Sequence, residues 1–195
     1  MPLNKTFLIY CVGTLLSTAL LLSCDNKTGF GYSNTQSDVT FDILEDLNPP
    51  ENFKILALGD SYTIGQSVCI SCRFPEQLKD SLIVNFDPQD TFSLEIIAQT
   101  GWTTTNLISA IATSNPSSDN NLVTLLIGVN NQYQGKPFAL YETEFITLVN
   151  TAIALADDDP SNLIVVSIPD YAYTPFGQNY NPVHISQQLD AYNLY

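Results

Sequence analysis

Short apolar runs alternate with amphipathic stretches along the chain from residue 53 onward. Each of the four apolar runs is bounded by turn-forming residues, which is typical of buried strands. The runs occupy residues 53–58, 91–98, 122–127 and 163–168. Because they are apolar almost throughout, they predict strands whose two faces are both covered, as in a parallel sheet.

Helical periodicity fills the intervals between the apolar runs. Leu107, Ala110 and Ile111, for example, fall on one face of a helix. Predicted helices cover residues 75–82, 103–113, 141–153 and 182–195. Strands that alternate with helices predict an α/β fold in which helices cover both faces of a parallel sheet.

The loops that follow the predicted strands are expected to lie at one edge of the sheet, because crossovers between parallel strands are right-handed. These loops begin at Gly59, Gln99, Gly128 and Pro169. Open α/β sheets bind their ligands at this carboxyl edge. We therefore expect the functional residues in these loops.

The first 24 residues have the proportions of a signal peptide. Lys5 precedes an almost uncharged apolar run at residues 7–22, which is rather short for a membrane span. The sequence from Leu21 to Cys24 then resembles a bacterial lipobox, in which the cysteine becomes the lipidated first residue of the mature chain. An ordinary signal peptide or an uncleaved anchor is the alternative. We expect lipid on Cys24 to anchor the protein to a membrane of the bacterial cell envelope, facing the periplasm or the surface.

Residues 25–52 show no periodicity and are rich in Asn, Thr, Ser, Gly, Asp and Pro. This composition predicts a flexible tether between the anchor and the folded part of the chain. Pro49 and Pro50 mark its end. The folded domain is therefore expected at residues 53–195.

The chain is strongly acidic, with 20 acidic and 6 basic side chains and a formal net charge of -14. Such a charge repels phosphate backbones and anionic lipid head groups. The composition therefore argues against a nucleic-acid partner. We expect a monomer.

The four cysteines are expected to have different fates. Cys11 is removed with the signal peptide, and Cys24 carries the lipid. Cys69 and Cys72 remain, and in an oxidising compartment they can close a small disulfide loop. Two unreactive thiols, a redox pair or half of a zinc site are the alternatives. A second cysteine pair is absent from the sequence and the single histidine is distant, so we expect no metal.

Ser61 is the candidate nucleophile, because it follows the first predicted strand directly within Gly59-Asp60-Ser61. Acyl transfer needs such a nucleophile and hydrogen-bond donors aimed at the oxyanion. The start of a helix at Ser61 would favour negative charge there. Gly101 follows the second strand and Asn130 follows the third, so the Ser61 N–H, the Gly101 N–H and the Asn130 amide can converge as donors. Taken singly, each of these segments is also ordinary turn chemistry.

These three segments, in this order, resemble the SGNH (GDSL-type) hydrolases. That family has a Gly-Asp-Ser block with the nucleophilic serine, then a glycine, then a Gly-x-Asn-Asp block; here Asn131 replaces the last Asp. The resemblance covers residues 53–195. It implies a three-layer α/β/α, flavodoxin-like fold. It also implies catalysis by serine and histidine, without metal or cofactor.

The fourth block of the family supplies the catalytic histidine in an Asp-x-x-His motif after a fifth strand. The single histidine here is His184, and Asn181 stands three residues before it. We therefore expect a truncated chain in which the last strand and helix are missing. As written, such a chain is expected to be nearly inactive.

The leading hypothesis is a serine ester hydrolase that acts on a small-molecule, lipid or glycan ester. Trp102, Tyr133, Tyr171 and Tyr173 are candidates to line its cleft. A non-catalytic lipoprotein that binds glycan or another ligand on the same fold is the second hypothesis. A redox module built on Cys69 and Cys72 is the third.

Overall fold

The computed structural model describes residues 50–195 of the chain. The predictions for the signal peptide, for Cys24 and for nearly all of the tether lie outside the described residues. The described part forms one compact unit. It is built on a sheet of four strands, which are β1 (Asn52–Gly59), β2 (Thr91–Ala98), β3 (Leu122–Leu126) and β4 (Leu163–Val165).

All strand pairs are parallel, and the strand order is β2-β1-β3-β4. The chain therefore moves to one side of β1 to form β2 and then crosses back to form β3 on the other side. Two adjacent loops leave in opposite directions at this reversal, and they open a crevice between the carboxyl ends of β1 and β3. The predicted parallel α/β sheet is confirmed.

Within residues 50–195, six α-helices connect and cover the strands. They are α1 (Ser61–Ile64), α2 (Phe74–Asn85), α3 (Thr104–Ser114), α4 (Val129–Tyr133), α5 (Phe138–Leu155) and α6 (Pro182–Leu194). Short 3₁₀ turns lie at Ile70–Cys72, Pro160–Asn162, Tyr171–Tyr173 and Gly177–Asn179. Because right-handed crossovers in opposite directions leave opposite faces of a sheet, α2 covers one face and α3 the other.

The main core lies between the sheet and the helices α3 and α5. Leu56 and Leu58 of β1 pack there with Leu107 of α3 and Leu148 of α5, and all four are fully buried. These helical residues belong to the apolar stripes seen in the sequence. By length and hydropathy α5 also resembles a membrane span, as core helices often do.

A second cluster joins α6 to α5 and to the loop after β4. Ile185, Leu189 and Tyr192 form the buried stripe of α6, as their spacing predicts. The Tyr192 ring packs on Tyr141 of α5, with ring centroids 4.4 Å apart. This cluster fixes the position of the segment that follows β4.

The fourth strand is shorter than its apolar run predicts. The Val166 N–H still donates to the Leu125 carbonyl, but the chain then leaves the sheet. The backbone of Ile168 forms hydrogen bonds with the side-chain amide of Asn193 and not with another strand. The Asn193 Oδ1 accepts from the Ile168 N–H at 2.8 Å, and the Asn193 Nδ2 donates to the Ile168 carbonyl oxygen at 3.0 Å. A tertiary contact from α6 therefore ends the strand, which no local pattern could indicate.

Candidate active site

Ser61 lies at the carboxyl end of β1, where the strand turns directly into α1. The turn needs glycine at position 59, because a Cβ atom there would lie 2.5 Å from the Leu126 carbonyl oxygen. The Ser61 side chain is half-buried, and its hydroxyl makes no hydrogen bond within residues 50–195. The turn therefore holds the hydroxyl at the sheet edge and leaves it accessible.

The helix that starts at Ser61 is a single turn, which ends at the left-handed Gly65. The dipole of so short a helix is small, because only a few peptide units are aligned. Stabilisation of an anion by α1 therefore rests on its individual N–H groups, and the helix-dipole contribution expected from the sequence is minor.

Asp60 occupies the N-cap of α1. Its Oδ1 accepts from the Tyr62 N–H at 3.0 Å, whereas the buried Oδ2 has no partner among the described residues. Burial raises the pKa of Asp60 to about 7, although the Tyr62 N–H partly opposes this shift. The residue before Ser61 is thus a carboxyl group that is half protonated near neutral pH.

Asn130 lies in the first turn of α4, immediately beyond β3. The turn into α4 needs Gly128, which has φ +131°, and a Cβ there would lie 2.7 Å from the Tyr141 ring. The Asn130 Nδ2 donates to the Trp102 carbonyl oxygen at 2.9 Å. Because the amide carries two N–H groups, one remains for a ligand.

Gly101 lies in the loop after β2 with φ +85°, and a Cβ atom there would have no neighbour within 4 Å. Its carbonyl accepts from the Gln134 side chain at 2.9 Å, and its N–H has no acceptor among the described residues. Two contacts therefore tie this loop to α4, one through Gln134 and one through Asn130. The three residues selected from the sequence lie just beyond the carboxyl ends of β1, β2 and β3, and the parallel sheet brings these strand ends to the same edge.

Asn131 replaces the family's usual Asp and is fully buried. Its Oδ1 accepts from the Thr104 N–H at 3.0 Å, and its Nδ2 donates to Thr104 Oγ1 at 2.7 Å. The Thr104 hydroxyl in turn donates to Glu144 of α5. Sequence reasoning missed this network, because Thr104 and Glu144 have no sequence signature that links them to position 131.

Ser61 and Asn130 line one cavity of about 210 Å³. Its remaining lining residues are Tyr62, Val129, Tyr133, Tyr171 and Phe176. Tyr133 and Tyr171 were expected in the cleft. Of the other candidates, Trp102 instead packs against the main core, and Tyr173 is 71% exposed outside the cavity. Tyr62 and Phe176 were missed, although Tyr62 directly follows Ser61.

A second cleft of about 400 Å³ borders Ser61 on the side of α2. Arg73 lies in it, and its Nε is buried without a partner among the described residues. Cys72 lines the same cleft and forms a disulfide with Cys69, with Cα atoms 5.0 Å apart. The disulfide closes the turn that leads into α2, beside the cleft that Ser61 also lines.

His184 lies outside the Ser61 cavity. It is exposed in the first turn of α6 and lines a separate cleft with Gln132, Lys136 and Gln187. Asn181 is the N-cap of α6, where its side chain accepts from the His184 N–H at 3.2 Å. Asn181 therefore has a local capping role in this structure. Within residues 50–195 no group of His, Cys, Asp or Glu side chains could hold a metal ion.

The sequence matches the GDSL-like Lipase/Acylhydrolase family over residues 57–194. This range begins within β1 and ends at the last residue of α6, so it includes Ser61, Gly101 and Asn130. A comparison with curated proteins finds no match.

Solved structures share the fold at low sequence identity. AlinE4, an SGNH-hydrolase family esterase, is 16% identical, covers 73% of this chain and 75% of its own, and has a TM-score of 0.51. The lipase Lip_vut3 from a goat rumen metagenome is 13% identical, with coverages of 71% and 75% and a TM-score of 0.51. TesA is 15% identical, with coverages of 71% and 73% and a TM-score of 0.50. At these identities the likeness establishes the fold alone.

Proposed function

Because the chain belongs to the GDSL-like lipase/acylhydrolase family, we propose that it hydrolyses carboxylic esters or carbohydrate O-acyl esters, with Ser61 as the nucleophile. The observation that carries the proposal is that Ser61 and Asn130 line the same cavity at the crevice between β1 and β3. A nucleophile and a neutral amide donor on one cavity wall are what acyl transfer requires.

In the proposed reaction the Ser61 Oγ attacks the ester carbonyl carbon, and its proton passes through the base to the alcohol as the ester C–O bond breaks. Water then hydrolyses the acyl-serine, which releases the acid and restores Ser61. The tetrahedral oxyanion accepts hydrogen bonds from the Ser61 N–H, the Gly101 N–H and the free N–H of the Asn130 amide. The hydrogen bond from Asn130 to the Trp102 carbonyl supports this role, because it holds the amide beside the Gly101 loop before substrate arrives. Donors fixed in advance need no reorganisation during the reaction.

The base in this proposal is a histidine, as the family resemblance implies. The single histidine of the sequence, His184, lines another cleft, so it does not serve Ser61. Without a base the serine remains a neutral alcohol near pH 7. With the oxyanion donors alone, ester hydrolysis is then expected to be roughly 10³-fold faster than the uncatalysed reaction in water.

Chemical rescue tests the proposal on the chain as it stands. Free imidazole added at increasing concentration supplies the base, and the hydrolysis of a p-nitrophenyl ester is followed against the reaction of imidazole alone. We expect a saturable protein-dependent increase that Ser61→Ala abolishes. Equal rates for Ser61→Ala and the unaltered chain would exclude Ser61 as the nucleophile.

A non-catalytic ligand-binding protein on the same fold is the second candidate, favoured by the position of His184 outside the Ser61 cavity. It predicts that ligand binding survives Ser61→Ala while no turnover occurs at any imidazole concentration. The rescue experiment therefore separates the two functions.

The envelope anchor is a separate part of the proposal and rests on the lipobox-like sequence that ends at Cys24. Labelled palmitate should be incorporated into the protein in bacteria, and Cys24→Ser should lose the label and accumulate as the precursor. Label that persists in Cys24→Ser would contradict the anchor. In an anchored protein, residues 25–52 would serve as a tether that holds the domain away from the membrane.

A further inference from the structure

The cavity beside Ser61 is walled by aromatic rings. Tyr62, Tyr133, Tyr171 and Phe176 come from α1, α4 and the segment after β4. Tyr180 packs behind them against Tyr133 and Phe176, with ring centroids 6.2 Å and 5.4 Å away. The rings of Tyr133 and Phe176 are about half exposed, so the wall is open to a ligand from solvent.

The rings of the wall are inclined to one another. Tyr133 and Tyr171 stand at 78° with centroids 6.4 Å apart, and Tyr133 and Phe176 stand at 49° with centroids 5.8 Å apart. A cation placed against the half-exposed rings of Tyr133 and Phe176 can lie within about 6 Å of both centroids, which is the range of cation–π attraction. The Tyr171 hydroxyl donates to Gln132 at 2.8 Å, which fixes the buried Tyr171 ring beside Tyr133.

The lining of the cavity includes no Asp, Glu, Lys, Arg or His side chain. Arg73 lines the neighbouring cleft that shares Ser61 and Tyr62, and Lys136 and His184 line a separate cleft. Burial raises the pKa of Tyr62, and Asp60, Tyr171 and Asp170 raise it further. The Tyr62 phenol therefore stays neutral at pH 7 and keeps its attractive ring face.

The volume of the cavity suits a small group. About 210 Å³ is below the roughly 300–1,000 Å³ typical of sites for whole drug-sized ligands, so the cavity by itself matches one compact group. Ser61 lines the same small space. A group bound there must therefore be connected to the ester carbonyl by only a few atoms.

We propose that this aromatic cavity binds the quaternary ammonium head of an ester substrate, as in a choline ester. The proposal rests on the proposed ester hydrolysis by Ser61 and specifies its substrate. In a choline ester two carbon atoms separate the nitrogen from the ester oxygen, so the head and the carbonyl both fit a cavity that contains Ser61. The aromatic faces attract the head, and no hydrogen bond to it is required.

Binding of choline itself tests the proposal without catalysis. Choline is titrated by calorimetry against the unaltered chain, beside its neutral isostere, in which a tert-butyl group replaces trimethylammonium. The two probes match in shape, so the difference between their affinities measures the contribution of the positive charge. We expect choline to bind about tenfold more tightly. Equal affinities would overturn the proposal.

Variants locate the interaction. Tyr133→Leu and Phe176→Leu should each reduce the preference for choline several-fold, whereas Tyr133→Phe should keep it because the ring face remains. Tyr173→Leu is the matched control, since Tyr173 is exposed outside the cavity. A preference for choline that survives both leucine variants would refute the assignment to this wall.

The same titration distinguishes this proposal from the proposed function. Choline that binds in the cavity while imidazole gives no Ser61-dependent turnover would support the site and remove the esterase. Turnover of p-nitrophenyl esters without a preference for choline over its isostere would support the esterase and remove the choline site.

Discussion

Asn131 and Thr104 hold each other by two reciprocal hydrogen bonds across the edge of the sheet. The Asn131 carbonyl oxygen accepts from the Thr104 N–H, and the amide nitrogen donates to the Thr104 hydroxyl. The pair joins the first turn of α3 to α4, and both residues are fully buried. It therefore fixes the loop that carries Gly101 relative to the helix that carries Asn130.

We expect Asn131→Asp to lower the free energy of unfolding by about 1–3 kcal/mol, although Asp is usual in the family. A carboxylate cannot donate to Thr104 Oγ1, whose single hydrogen already goes to Glu144. One buried acceptor then lacks a partner. Urea denaturation of the variant and the unaltered chain at pH 7 measures the difference.

Glu144→Gln in the Asn131→Asp background is the matched control. The new amide of Glu144→Gln can donate to Thr104 Oγ1, which frees the threonine hydrogen for the carboxylate. At least half of the lost stability should return. An Asn131→Asp variant as stable as the unaltered chain would show that the amide donor contributes nothing.

Asp60 should make the protein less stable as the pH rises from about 4 to about 7. The pKa of its carboxyl is about 7 in the folded chain and 3.8 as the ordinary value, so the folded state binds more protons over this interval. The free energy of unfolding falls with rising pH wherever the folded state binds more protons than the unfolded state. The total fall from Asp60 is up to roughly 4 kcal/mol. Above pH 7 the contribution levels off.

Asp60→Asn is expected to remove this part of the pH dependence. The new side chain keeps an oxygen that can cap α1 and has no proton to lose. Unfolding free energies of both proteins between pH 4 and pH 8 should therefore diverge, with the variant more stable at the upper end. Parallel profiles would show that Asp60 titrates normally.

Gly59 and Gly101 should respond differently to alanine. Gly59→Ala forces a Cβ against the Leu126 carbonyl oxygen and the Thr63 side chain, so we expect a loss of about 3 kcal/mol. Gly101→Ala meets no neighbour, and its cost should be about 1–2 kcal/mol from the positive φ alone. Thermal or urea denaturation of the two variants measures these losses of stability. Equal losses in Gly59→Ala and Gly101→Ala would contradict the steric explanation.

His184→Ala should leave the Ser61-dependent rate within about twofold of the unaltered chain, as for an ordinary surface change. The reason is that His184 is exposed in a cleft that Ser61 does not line. The imidazole-supported ester assay measures this rate. Loss of turnover in His184→Ala would show that this histidine is the base after all.

The sequence alone determined the α/β class and the positions of the strands and longer helices. The run that ends at Gly59 and the helical stripe of Leu107 and Ile111 are local patterns, and burial of an apolar face is enough to select them. Ser61, Gly101 and Asn130 were found because parallel strands with right-handed crossovers place their loops at one edge.

Only the tertiary structure decided what surrounds these residues. The early end of β4 depends on Asn193 of α6, and the anchoring of the Gly101 loop depends on Asn131. The aromatic wall needs Tyr62 and Phe176 to meet, although they are far apart in the chain. Such contacts follow from the packing of whole elements against one another, and no periodicity in the sequence records which side chains will then face each other.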